Sequence, residues 1–177
     1  MPANCRKSWR PDLGRIGDRE RFDVPFHASG SKSITSETKI RVLIVEDNPG
    51  DVFLIRRALT KHSVNADLIE IRDGRTALEF VDKVDSDEMI QAPDMALVDL
   101  NLPRATGTLI LAKLKKSRRC ASAPVIMMTS SDSPLDQETA RTLGAHAYFL
   151  KPNDLSGYLR LGGIVRRVLE NVSRLAT

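Results

Sequence analysis

Five short apolar runs constrain this chain more than any other feature. They are Ile40–Val45, Ala66–Ile71, Met95–Leu100, Val125–Thr129 and Ala147–Leu150. The first, Ile40–Val45, is too short for a helix and too apolar for an exposed strand, and the others are similar short runs. The segments between them carry helical spacing instead. Val52, Ile55, Ala58 and Leu59 form one stripe, and Ala77, Leu78, Val81 and Val84 a second. Leu109, Ile110 and Leu114 mark a third helix, and Leu135 with Leu143 a weaker fourth. After Pro152, the set Leu155, Leu159, Ile164, Val165, Val168, Leu169 and Val172 predicts one long last helix. Gly162-Gly163 is expected to loosen its middle, since each glycine costs about 1 kcal/mol against alanine in a helix. Strands alternating with helices imply right-handed crossovers and a parallel sheet covered on both faces. The expected fold class is therefore α/β, with five strands and five helices. In such sheets the site lies at the carboxyl ends of the strands, beside the topological switch point.

Composition narrows the alternatives. With 41% hydrophobic and 28% charged residues in 177, the chain is ordinary globular material. No apolar run approaches the roughly 20 residues of a membrane-spanning helix. Trp9, Arg10, Asp12, Arg15 and Asp18 stand where a secretory signal needs an apolar core. Cys5 and Cys120 form neither a disulfide nor a zinc pattern, so a cytoplasmic setting is expected. Residues 1–36 hold seven Lys/Arg against four Asp/Glu, which is +3 of the chain's net +4. A nearly neutral body behind a short basic segment argues against direct DNA binding. Residues 1–38 lack apolar periodicity and close on a Ser/Thr-rich stretch, which predicts a disordered segment. Residues 39–177 then make the one folded domain, with no output domain expected after it.

The carboxyl ends of the strands carry the chemistry. The first run ends in Glu46-Asp47, the third in Asp99 and the fourth in Thr129; the fifth leads into Lys151-Pro152. With strand order 2-1-3-4-5, the first and third strands are neighbours and the three carboxylates converge. Such a cluster repels itself unless a cation compensates. Hard oxygen ligands suit Mg²⁺, which keeps several waters and readily shares a phosphoryl oxygen. Lys151 adds a positive charge, and Thr129 a hydroxyl able to donate to an anion. Together they suit a carboxylate that takes up a phosphoryl group, a reaction that needs positioning and charge stabilisation. Each residue alone has a commoner reading: a helix cap, a solvated lysine or a strand-forming threonine. Their conjunction at successive strand ends favours the functional one.

The motifs VLIVEDNPGD, LVDLNLPRATG, VIMMTSS and AYFLKP occur in this order. Over roughly residues 39–173 the sequence resembles the receiver domain of two-component response regulators. The resemblance implies a flavodoxin-like, doubly wound five-stranded parallel sheet in order 2-1-3-4-5. It also implies Asp99 as phosphoacceptor and Asp47 as a direct Mg²⁺ ligand. Glu46 would act mostly through a metal-bound water, and the Asn101 carbonyl would complete the protein ligands. Thr129 and Lys151 would contact the phosphoryl group, with the Lys-Pro bond often cis. Tyr148 falls at the family's switch aromatic, on a face built from the fourth helix, fifth strand and fifth helix. That face is a candidate for homodimerisation.

DNPGD and the long Val84–Pro93 connection further resemble stand-alone regulators of phytochrome-type sensor kinases. The expected partner is thus a sensor histidine kinase, and the expected function that of a phosphoacceptor switch rather than a turnover enzyme. A phosphorylation-independent scaffold is the alternative, which the intact charged set disfavours. Arg104-Ala105-Thr106 departs from the usual family residues before Gly107, placing the loop details in question. His27, His62 and His146 lack metal-ligand spacing and read as structural or solvated.

Overall fold

The computed structural model describes residues 39–175, so the predicted disordered segment 1–38 lies outside the described residues. Its elements are β1 (Ile40–Val45), α1 (Pro49–Lys61), β2 (Ala66–Ile71), α2 (Gly74–Ser86), β3 (Met95–Asp99), α3 (Gly107–Lys116), β4 (Val125–Thr129), α4 (Pro134–Thr142), β5 (Ala147–Leu150) and α5 (Leu155–Leu175). The sheet is parallel in the order β2-β1-β3-β4-β5. Among the described residues no helix is long and apolar enough to cross a membrane.

The apolar runs lack alternation because alternate side chains serve two different cores. Val42, Ile44, Met95, Leu97, Ile126 and Met128 pack beneath α1 and α5. Leu43, Val45, Ala96, Val98, Val125 and Met127 pack beneath α2 and α3 on the other face, with Ala140 of α4. Every residue of β3 and β4 is buried, whereas edge strand β2 is mostly half-buried. Period-two geometry thus operates inside strands whose sequence hides it.

Three helix assignments change in detail. In α3 the buried residues are Ile110, Leu111 and Leu114, while Leu109 points to solvent. In α4 Leu135 is 75% exposed, and Ala140 instead provides the buried contact. Helix α5 runs unbroken through Gly162-Gly163. A Cβ at Gly162 would stand 2.1 Å from the Ala58 carbonyl oxygen of α1. That glycine lets two helix backbones approach closely, a packing role that outweighs its helix propensity.

Candidate functional site

Chain reversal at the strand ends builds the site. Beyond β1, Glu46 is almost fully buried, while Asp47 is exposed. Asn48 then caps α1, its side chain accepting from Gly50 N at 2.8 Å, and Pro49 starts the helix. The turn places Asp51 in the first helical turn, where a carboxylate also suits the helix dipole. Asp99 ends β3 and is 6% exposed. The next loop folds back tightly: Gly107 N donates to Leu100 O at 2.9 Å, and a Cβ at Gly107 would lie 2.2 Å from Asp99 O. Arg104 takes a left-handed φ of 68° and pairs with Asp73 at 3.1 Å, tying this loop to the start of α2. The departure at Arg104 thus changes how the loop is anchored and leaves Asp99 in place.

Lys151 is the centre of the site. Its backbone N–H donates to Thr129 O at 2.7 Å, which holds it beside the end of β4. Its ammonium donates to Glu46 Oε2 at 2.7 Å, Asp51 Oδ2 at 2.9 Å and Asp99 Oδ2 at 2.9 Å. An ammonium has three N–H groups, and all three have an acceptor here. Burial opposes the charge on Lys151, but the hydrogen bonds it donates to Glu46, Asp51 and Asp99 outweigh it and push its pKa up. Burial pushes the Glu46 carboxyl up to about 7 despite the hydrogen bond and charge of Lys151, with the Asp99 charge adding to the rise. One cation among these carboxylates leaves the corner short of positive charge.

Glu46, Asp47 and Asp99 each offer an oxygen within 4.8 Å of the others. Mg²⁺ takes oxygens at about 2.0–2.1 Å, so ligands on opposite sides of it lie about 4 Å apart. The donor set therefore fits a hard divalent cation in its chemistry, with its oxygens gathered close to the spread such an ion draws together. Asn101 follows two residues later, its N–H donating to Asp99 Oδ1 at 3.3 Å.

Thr129 is fully buried, and its hydroxyl accepts from Ser131 N at 3.0 Å. Burial raises the pKa of Tyr148, and the neighbouring Thr129 hydroxyl opposes that rise. The Tyr148 ring is buried, and its hydroxyl donates to Ser131 O at 3.4 Å. Glu46, Asp47, Asp99, Asn101, Thr129, Tyr148 and Lys151 thus lie at this end of the sheet. No cis peptide bond occurs among the described residues, so Lys151–Pro152 is trans, the form an X–Pro bond ordinarily prefers. His146 is exposed with Nδ1 facing Val125 N at 3.4 Å, and His62 caps the end of α1.

Two site residues escaped the sequence reading. Asp51 is the acidic residue in the first turn of a helix that starts at the site, and this was its available signal. Tyr158 of α5 is buried edge-on against Phe149, with centroids 5.6 Å apart. Its hydroxyl lies beside Asp51 without a well-oriented hydrogen bond.

The family model for the response regulator receiver domain matches residues 42–159. Response regulator Rcp1 of Synechocystis sp. is 30% identical over 133 residues, covering 75% of this chain and 90% of its own. The crystal structure of the phosphorylated cyanobacterial phytochrome response regulator RcpA matches with a TM-score of 0.68 at 28% identity, over 76% of this chain and 96% of its own. The Mn(2+)-bound form of Rcp1 matches with a TM-score of 0.64 at 29% identity, over 71% and 91%. With the strand order, the acidic corner and these matches in agreement, the chain belongs to the response regulator receiver domain family.

Proposed function

We propose that this protein is a response regulator whose receiver domain accepts a phosphoryl group from a sensor kinase phosphohistidine onto Asp99. The observation that carries this reading is Lys151, held within 2.9 Å of a buried Asp99 carboxylate next to a divalent-cation donor set. An Asp99 carboxylate oxygen attacks phosphorus in line, the phosphorus–nitrogen bond breaks, and the electron pair returns to the donor imidazole. Lys151 orients Asp99 and neutralises charge gathering on the phosphoryl oxygens. Thr129 donates its hydroxyl to the product, which carries about −2 by analogy with other side-chain phosphates. Glu46, Asp47, Asp99 and the Asn101 carbonyl would hold Mg²⁺, which supplies charge stabilisation between Asp99 and the incoming group. Water attack on phosphorus later releases phosphate and returns Asp99.

The nearness of the Thr129 hydroxyl to Tyr148 supports a switch, because moving the threonine alters the surroundings of the tyrosine and biases the face around β5. Exposed Leu135, Leu150 and Leu155 lie on α4, on β5 and at the start of α5, which suits homodimerisation or target docking there. Similarity to RcpA, a phytochrome response regulator, favours a phytochrome-type kinase as partner. Output then runs through protein contacts.

Intact-mass measurement after incubation with Mg²⁺ and acetyl phosphate tests the reading. One added phosphoryl group in wild type, absent with EDTA and absent in Asp99→Asn, is expected. A folded wild type that gains no mass from acetyl phosphate, nor from any sensor kinase tested, overturns it in favour of a scaffold.

A further inference from the structure

Of the three acceptors around Lys151, Glu46 and Asp99 belong to the oxygen set that fits a divalent cation, and Asp51 does not. A cation draws on Glu46 and Asp99, and the phosphoryl group takes up an Asp99 oxygen. Asp51 stays free to hold the ammonium whatever occupies the other two. This matters because lysine is a point charge on a flexible four-carbon stem, so its placement depends on its anchors.

The surroundings of Asp51 agree. The Asn48 cap and Pro49 fix the helix turn that carries it. Behind it stands Tyr158, whose hydroxyl is the one buried side-chain polar atom left without a partner among the described residues. Burial and then the Asp51 charge keep that phenol in its neutral, donating form. A carboxylate with an uncommitted buried donor behind it and Lys151 in front is placed to adjust its hydrogen bonds without moving away.

We infer that Asp51 is a positioning residue for phosphotransfer, anchoring the Lys151 ammonium beside Asp99 before, during and after phosphorylation. The inference rests on the phosphoacceptor reading above, and two separate readouts keep the two distinguishable. The full chain is compared as wild type, Asp51→Ala and Asp51→Asn, with Mg²⁺ at saturation and acetyl phosphate as donor. Asp51→Ala is expected to slow labelling about tenfold, the usual scale for losing a hydrogen bond to a charged group. Asp51→Asn keeps an acceptor oxygen and recovers a substantial part of that rate. The half-saturating Mg²⁺ concentration in calorimetry stays within about threefold, because Asp51 is outside the Glu46, Asp47 and Asp99 donor set. Labelling of Asp51→Ala within twofold of wild type overturns the inference.

The second readout needs no phosphorylation. In ¹⁵N-lysine NMR of the resting protein, a slowly exchanging ammonium signal that disappears in Lys151→Arg belongs to Lys151. It should vanish or shift strongly in Asp51→Ala and persist in Asp51→Asn. An unchanged signal in Asp51→Ala overturns the anchor even if wild type takes up no phosphoryl group, a result that separately sinks the phosphoacceptor reading.

Discussion

The two ends of the same sheet handle charge in opposite ways. At the amino ends, ion pairs lie in solvent: Lys39–Asp67 joins β1 to β2, and both side chains are more than half exposed. Arg41 and Asp94 are partly exposed, and Asp94 Oδ2 accepts from Arg41 N at 2.7 Å. Asp85 ties the end of α2 to the chain after α3 by accepting from the Ser117 hydroxyl at 2.7 Å and Arg119 N at 3.1 Å. At the carboxyl ends, Lys151, Glu46 and Asp99 have side chains no more than 8% exposed. Solvated pairs contribute little to stability, whereas buried charges are costly and depend heavily on their partners. The amino end is built for holding the fold, and the carboxyl end stores electrostatic tension that a cation or phosphoryl group can relieve.

The largest contrast should come from Lys151→Met. It leaves Glu46, Asp51 and Asp99 without their shared cation, so stability in EDTA should fall by about 3 kcal/mol in urea melts. Added Mg²⁺ should recover part of that loss, because a second cation can serve Glu46 and Asp99. Gly107→Ala sharpens the same point through backbone packing. A Cβ there meets Asp99 O, and a loss of about 2 kcal/mol is expected, with a shift in the Asp99 amide resonance.

Smaller effects belong to the amino end. Asp85→Ala should cost about 1 kcal/mol at neutral pH, since Asp85 accepts from both Ser117 and the following backbone. The Ser117 hydroxyl chiefly, and then the backbone N–H groups of Arg119 and Arg118, hold the Asp85 carboxyl below its ordinary 3.8. A depressed acid stabilises above its unfolded pKa, so the gap between wild type and variant should close as pH falls through 3.8 and below. Asp67→Ala should change stability by less than about 0.5 kcal/mol and lose even that in high salt. An exposed pair that proves as costly to break as Lys151 would erase the distinction between the two ends.

Much of this was legible in the sequence, for identifiable reasons. Apolar runs bounded by helical spacing report burial on both faces, which only a covered parallel sheet provides. Glu46, Asp47, Asp99, Thr129 and Lys151 were visible because topology alone delivers strand ends to one edge. Leu109 and Leu135 misled because an apolar residue one step off a helix face is spelled like one on it.

The sequence by itself determined the order of elements, the residues at the mouth of the sheet and the family to which they belong. Tertiary structure alone decided that Gly162 brings α5 onto α1, that Arg104 locks the loop after Asp99 onto Asp73, and that Asp51 and Tyr158 join the charged corner. Those facts depend on distances between segments far apart in the chain. Local spacing encodes which face a residue occupies, but not which backbone or charge will stand against it.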